Sequence, residues 1–466
     1  MLNDLQRMLG DVVAVDWQDG VTVWGQGVAL WRQYNAGEHR AKLTSAMRDM
    51  LRISGTVTDQ FNDNYCEMVV DRMADRLVVE SIVTDNDAAS QWAAGVMAAN
   101  RFDGLQMDVH ADAVCDGDAF VMVSWDNEAQ QVRLTHESAW DGRVGVIPVY
   151  DRMAQQMVGA VKVWDEGDDK RVNVYLPDRV EKLLYRDGAT VGVGGEFIQL
   201  EAAEWVDNAG GALGVPVFHL RNKRRTGRFY GRSEIANVVP LQDALNRTLV
   251  SMVLTSELTA FQVRVARGFD PPANLSPGMW VVIAPDGLTN DQVADAGVME
   301  QGQIVPFIAQ ADWLINQIGT ISRTPLPSMM GGDSQSGEAL KERENGLLEK
   351  VQVFSVRNGN VWEDVMAFAH RLAGVFGSVL PPAAARWMCR WRQAEIRNRT
   401  EIIDNALKVR ESVGEHEFLR LIAAAYGYDP DKIAALMAEK AAQQQNQLAA
   451  LAGNLPGFSE FNMGGA

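Results

Sequence analysis

The stretch SGEALKERENGLLEKVQVFSVRNGNVWEDVMAFAHRLA, Ser336 to Ala373, decides how the rest of the chain is read. Leu340, Leu347, Val351, Phe354, Val361, Val365, Phe368 and Leu372 recur at intervals of three, four and seven, the spacing that lines one face of an α-helix. At about 1.5 Å per residue such a helix would be about 57 Å long. Ser336 is placed to cap it, and Glu338 falls in the first turn, where a carboxylate meets the positive end of the helix dipole. Gly346 and Gly359 are expected kink points.

The order of segments before this helix is equally informative. Pro240 to Gln262 reads as a helix with Leu241, Leu245, Leu249 and Met252 on one stripe. Residues 263–305 hold Pro271-Pro272, Pro277-Gly278 and Pro285-Asp286-Gly287 around the apolar run Trp280 to Ala284, a small strand-containing module bounded by turns. A second helix, Phe307 to Ser322, stops at Thr324-Pro325-Leu326-Pro327, since a residue before proline is pushed out of the α region. SMMGGDSQSG, Ser328 to Gly337, then has the composition of a flexible loop.

Further out, residues 40 to 113 carry helical spacing throughout, as in Met68, Val69, Met73 and Leu77. After Gly117 the period becomes two, and a hairpin is expected from Phe120 to Thr135. A second pair runs from Val158 to Trp164 and from Val172 to Leu176. Beyond Pro381-Pro382 a compact helical group is expected, with Asn398 and Glu401 as a capping box, Gly414 as a stop, and Asp429 with Pro430 opening another helix. The fold class is therefore α+β, mainly helical.

The 466 residues allow about three compact units. Lys and Arg number 43 against 61 Asp and Glu, a formal charge of −18, which disfavours tight wrapping of nucleic acid by phosphate neutralisation. Cys66, Cys115 and Cys389 are far apart, with no CxxC and no neighbouring His, which argues against a disulfide framework and a structural zinc site. The opening MLNDLQRMLGDVVAVDW lacks the parts of a secretory signal, and no stretch approaches the roughly 20 apolar residues that span a bilayer. A soluble protein folded in a reducing cytoplasm, with no membrane partner, is the expectation.

There is no P-loop, dinucleotide fingerprint, HExxH or GxSxG; Gly231-Arg232-Ser233-Glu234-Ile235 lacks the last glycine of the elbow. The six histidines show no paired helical spacing. Asp116-Gly117-Asp118 reads as a turn before a strand in preference to a cation loop. No catalytic, cofactor or metal site is expected. One motif stands out on an acidic chain: LRNKRRTGRFYGRS, Leu220 to Ser233, holds Arg221, Lys223, Arg224, Arg225, Arg228 and Arg232 with no acid among them. It is a solvated turn, an anion or DNA contact, or one side of a subunit interface. Trp387 and Trp391 in RWMCRW are four apart, the spacing of a helical packing pair.

The chain resembles the portal proteins of tailed bacteriophages. The resemblance rests on WRQYNAGEH (Trp31 to His39), NYCEMVVD (Asn64 to Asp71), Asn100, and Asp112-Ala113 through Gly117-Asp118-Ala119-Phe120-Val121. Its strongest stretch is VPVFHLRNKRRTGRFYGRSEIANVVPLQDALNRTL (Val215 to Leu249), and it continues at Ser336-Gly337-Glu338-Ala339-Leu340. It covers roughly residues 30 to 440. It implies an elongated subunit of a ring, with a wing (1–239), a first stem helix (240–262), a clip (263–305) and a second stem helix (306–324). A tunnel loop (325–335), a long kinked helix returning to the wing (336–378), a crown (379–440) and a flexible C-terminal tail (441–466) complete it.

The function so implied is structural. A homo-oligomeric ring, typically a dodecamer, forms the conduit at one capsid vertex through which double-stranded DNA is packaged and ejected, touching it transiently and without sequence preference. Partners are the terminase large subunit, which supplies the ATP-driven motor, the head-tail adaptor, and the major capsid and scaffolding proteins. The protein is then a virion component assembled in the bacterial cytoplasm. Ser328, Met329, Met330, Asp333, Ser334 and Gln335 are the residues expected to face the DNA channel. The competing readings are another virion ring, such as a head-tail adaptor, and a nuclease with acids around Mg²⁺.

Overall fold

The computed structural model describes residues 24–54, 63–151, 153–186, 196–225, 228–260, 264–267, 280–283, 295–298, 303–326 and 337–394, together with 408, 438, 439 and 442. Two compact units divide the chain at residue 394, and the architecture below belongs to the first. Asn398, Glu401, Gly414, Asp429 and Pro430 lie outside the described residues, as do Ser336 and the loop residues 328–335.

Helices α1 (Trp24–Asn35), α2 (Ser45–Ser54) and α3 (Tyr65–Ala74) open the chain. A strand, β1 (Val79–Val83), then interrupts the region that helical spacing assigns to helices alone, before α4 (Asp87–Ala99) and α5 (Phe102–Asp116). Gly117 ends α5 in the left-handed conformation at φ 95°, and β2 (Asp118–Asp126) and β3 (Gln131–Ser138) form the expected hairpin. Next comes a five-stranded antiparallel meander of β4 (Gly145–Asp151), β5 (Gln156–Glu166), β6 (Asp169–Tyr175), β7 (Arg179–Arg186) and β8 (Glu196–Glu204). The second expected pair supplies β5 and β6 of this sheet. Strand β9 (Val217–Arg221) returns to the hairpin and pairs with β2, giving the order β3-β2-β9.

Helix α6 (Val239–Ala260) follows, then strands β10 (Arg264–Arg267), β11 (Trp280–Ile283) and β12 (Asp295–Val298), with β10 central, parallel to β11 and antiparallel to β12. Helix α7 (Val305–Ser322) packs on α6, and α8 (Gly337–Phe376) is the long helix, 40 residues within two or three of the expected ends. Strand β13 (Met388–Trp391) is the last described element of this unit.

Alternation of apolar residues explains the sheets: Val161 and Val163 on β5, Val172 and Val174 on β6, and Leu183 and Tyr185 on β7 form one buried layer under Trp140. A second layer, with Val28, Phe120, Val146, Ala160 and Val217, joins α1 to both sheets. The largest core lies along α8, where Leu347, Val351, Phe354, Val365, Phe368 and Leu372 are buried as their spacing requires. Trp362 and Met366 are buried as well, whereas Val361 is only half-buried. Asn100, at the end of α4, donates to Val132 O (2.9 Å) and accepts from Leu134 N (2.8 Å), which holds the edge strand β3 to the helices.

One expectation is corrected. RWMCRW is a strand, not a helix: β13 pairs antiparallel with β1, Ile82 opposite Cys389 and Val83 opposite Met388. The other edge of β1 is occupied by the Gln106 side chain, which accepts from Val79 N at 2.6 Å and donates to Val79 O at 3.2 Å. Buried backbone groups need such partners, and this need outweighs the helical reading of the flanking sequence. Trp387 and Trp391 do serve packing, Trp387 against Trp92 and His370, and Trp391 against His110. Helix α8 runs as a single element through Gly346 and Gly359. A β-carbon at Gly359 would lie 3.0 Å from Trp391 Nε1, and one at Gly346 would lie 3.3 Å from Arg323 Cβ, so both glycines permit close approach.

His110 on α5 clamps these pieces together. Its Nδ1–H donates to Leu77 O (2.7 Å), and its Nε2 accepts from Trp362 Nε1–H (3.0 Å), a pattern only the neutral ring can make. Burial lowers its pKa to about 4, and burial also lowers those of His39 and His219. The unfolded chain therefore binds protons that the folded one refuses, so this stability is present above pH 6.5 and is lost as pH falls toward 4. His110 alone accounts for roughly 3 kcal/mol over that range. Between pH 7 and 4.5 urea midpoints should lose more, or gain less, in the wild type than in His110→Phe, which should itself be less stable at pH 7; buried Asp116, its carboxyl raised to about 7, acts in the opposite sense in both proteins. An unchanged slope in that variant would contradict the assignment.

Candidate functional site: an arginine-lined cavity

The basic motif leaves the sheet at the end of β9 and turns back on itself. Asn222 N donates to Gly117 O (2.8 Å), and Arg232 N donates to Asn222 O (3.0 Å), which closes residues 222–232 into a loop seated on the α5–β2 turn. Two glycines make the seat. A β-carbon at Gly231 would fall 2.0 Å from Gly117 O, and one at Gly117 would fall 2.8 Å from Arg232 C. The glycine before the hairpin and the glycine of GRSEI are thus one contact seen from both sides.

Glu234 fixes the loop from beneath. Its buried carboxylate accepts from Lys350 Nζ on α8 (2.7 Å) and from Lys223 Nζ (2.9 Å), while its backbone N–H donates to Val114 O on α5 (3.0 Å). Lys350 also donates to Ser322 O, the last residue of α7 (2.5 Å). Burial pushes the Glu234 carboxyl up, but the two ammonium groups more than offset this and hold it below the usual carboxylate range. Burial lowers the Lys350 pKa, with Glu234 opposing. Nearby, Asn358 on α8 accepts from Arg221 N (3.1 Å) and donates to Arg221 O (3.4 Å), capping the free edge of β9.

Above this base lies a cavity of about 480 Å³ lined by Arg221 at the end of β9, Arg224, Arg225 and Arg228 from the loop, Arg357 and Asn358 from α8, and His219 and Phe229 among others. Arg221 lies over the Tyr150 ring at 5.5 Å, and its Nη1 donates to Phe229 O (3.2 Å). Arg357 Nη1 donates to Arg224 O (3.2 Å). His219 accepts at Nδ1 from Tyr150 O–H (2.9 Å) and donates from Nε2 to buried Asp118 (2.7 Å), which also accepts from Gly231 N (2.7 Å). Burial lowers the His219 pKa; Asp118 opposes, and Arg221 and Arg224 lower it further.

The motif therefore divides. Lys223 is committed to Glu234 and Arg232 is hydrogen-bonded to Asn237, so neither lines the cavity, while the other four do. Composition alone does not announce Glu234, Lys350, Arg357 or Asn358. The one available signal is that Glu234 is the first acid after Asp207, ending a run of 26 acid-free residues. Ser328, Met329, Met330, Asp333, Ser334 and Gln335 lie outside the described residues.

Asp116 and Asp118 are occupied by protein donors, Asp116 by Arg32 (2.6 Å) and Asp118 by His219. Among the described residues no group of three or more His, Cys, Asp or Glu is placed to hold a metal ion, and no helix is long and apolar enough to cross a membrane. The three cysteines are unpaired.

The profile of a family described as Phage portal protein, SPP1 Gp6-like matches residues 45–446, and the chain belongs to this family of phage structural proteins. The portal protein of Mycobacterium phage L5 is 24% identical over 374 residues, 74% of this chain and 71% of the relative. That of Mycobacterium phage D29 is 25% identical over 376 residues, 74% and 72% of the two. Among solved structures, a chain of the virion of the native gene transfer agent (GTA) particle aligns with a TM-score of 0.41 at 10% identity, covering 82% of this chain and 94% of that one. A chain from the neck of the native GTA particle aligns with a TM-score of 0.42 at 11% identity, covering 81% and 93%. The sequence resemblance to portal proteins thus holds over most of the chain, and the protein is a phage portal protein, a structural component of the virion.

Lys350→Met removes one of the two cations on buried Glu234 and should destabilise the fold by about 3 kcal/mol. Adding Glu234→Leu should recover at least about 1 kcal/mol of that, because the remaining cost is an uncompensated charge. Denaturant midpoints of the two singles and the double decide it; strictly additive losses would mean the pair is not coupled.

Proposed function

We propose that copies of this chain close into a ring, a dodecamer, around an axial channel at one capsid vertex, and that double-stranded DNA enters and leaves the capsid through it. The observation that carries this reading is family membership across residues 45–446. The order of described elements agrees with it: helix α6, a three-stranded module, helix α7, and then the long α8. In this reading α6 and α7 are the stem, β10 to β12 belong to the clip, and the elements before α6 form the wing. The loop 325–335 faces the channel, with Ser328, Met329, Met330, Asp333, Ser334 and Gln335 toward DNA. The sequence from 395 to 440 completes the crown.

Charge supports a conduit over a grip. Twelve copies at −18 carry −216 formal charges, and the duplex carries about one negative charge per 1.7 Å of axis. Like charges keep the passing duplex off the wall, so friction stays low. The proposed channel loop has no Lys or Arg. The ring serves as the platform on which a terminase large subunit docks during packaging and a head-tail adaptor docks afterwards, with capsid and scaffolding proteins around it. ATP hydrolysis belongs to the terminase.

The solution mass of the purified full-length chain, with negative-stain images of the same sample, tests this. Closed rings with an axial hole and twelve-fold symmetry are expected. A monomer or dimer that persists across concentration and in the presence of scaffolding protein would overturn the ring.

A further inference from the structure

Among the described residues, Arg221, Arg224, Arg225, Arg228 and Arg357 form no salt bridge, although Lys223 and Lys350 nearby both do. Asp364 also lines the cavity but forms no salt bridge with these arginines among the described residues. Burial lowers the Arg221 pKa and Arg224 lowers it further, while Tyr150 and Asp118 oppose. Five guanidinium groups held around one concavity, none in a salt bridge among the described residues, are costly in the isolated subunit, and a bound anionic group relieves that cost.

The surroundings favour protein over DNA as the source of that group. Duplex phosphates stand on a convex rod, which meets the rim of a concavity and leaves its floor unfilled. Beside Arg357 on α8, Val353 and Val356 are 51% and 66% exposed. Arginine beside exposed apolar side chains is the composition of a protein–protein contact. The guanidinium fork matches a carboxylate with two parallel hydrogen bonds. A second copy of this chain is rich in such groups, with 61 acids against 43 bases. A ring closes through a heterologous contact, in which two different patches of the same chain meet, so a socket on one side has its counterpart on the other.

We infer that the cavity lined by Arg221, Arg224, Arg225, Arg228 and Arg357 is a socket that accepts Asp and Glu side chains from a second copy of this chain. The inference rests on the ring reading and names the chemistry of its contact. It explains why the loop is pinned so firmly from beneath: the seat at Gly117 and Gly231 and the ion pair at Glu234 hold the arginines in place before the partner arrives.

Two variants of the full-length protein test it. R224K/R225K keeps the charge and introduces amines, and a carbodiimide then condenses those amines with any carboxylate in contact. In rings assembled from mixed ¹⁵N-labelled and unlabelled subunits, peptides joining position 224 or 225 to an Asp or Glu of differently labelled chains are expected. In R224E/R225E/R357E the concentration for half-assembly should rise at least about thirtyfold, with the circular dichroism spectrum retained. R224K/R225K rings whose links from position 224 or 225 stay within one subunit, or a charge-reversed variant that assembles like wild type, would overturn the socket and leave the ring standing. Intact rings of that variant with lost retention of duplex DNA would assign the cavity to nucleic acid instead. Failure of the wild type to form rings at all would fall on the ring reading itself.

Discussion

The buried carboxylate of Glu234 is the point at which four separate parts of the chain are tied. Its backbone reaches α5, its side chain joins Lys223 of the basic loop and Lys350 of α8, and Lys350 extends the tie to the last carbonyl of α7. An ion pair so placed is poor as a source of net stability, since desolvation of the charges cancels much of the attraction. What it supplies is register. Apolar packing along α8 would tolerate a slide of one turn far better than a buried carboxylate would tolerate losing its cation.

That register determines the geometry of the cavity. Lys350, Arg357 and Asn358 are separated by seven and one residues, so the helix that holds Glu234 also brings Arg357 and Asn358 to β9 two turns later. Asn358 then completes the edge of β9 with two hydrogen bonds, and Arg357 closes the cavity opposite the loop. Asp118 works from the other side, holding His219 and Gly231 with one oxygen. The arginines converge because neutral and paired groups around them leave the loop no other resting place.

Elements whose signal is local were legible in the sequence. The 40-residue helix, the β2–β3 hairpin, strands β5 and β6, and the two helices around a strand module all follow from periodicity and turn residues within a short window. What was not legible depends on partners distant in sequence. Strand β1 exists because β13, some 300 residues away, supplies one edge and Gln106 the other. Gly359 leaves room for the Trp391 ring of β13, so a glycine that suggests a kink from sequence also makes a contact with a partner distant in the chain. The basic motif was visible as composition, but only the fold separates Lys223 and Arg232, which are satisfied internally, from the four arginines that share a cavity with Arg357.

The distribution of charge gives these details a common sense. A chain at −18 repels both DNA and its own copies, and the first repulsion suits a conduit while the second opposes assembly. Spreading more lysines over the surface would remove both repulsions together. Concentrating arginines in one concave site beside exposed valines of α8, as in the proposed socket, removes only the second. Because the same loop is tied through Glu234 and Lys350 to the end of α7, a carboxylate seated in the cavity would be mechanically continuous with the start of the proposed channel loop. Contact between subunits and the position of the channel wall would then rest on one rigid base.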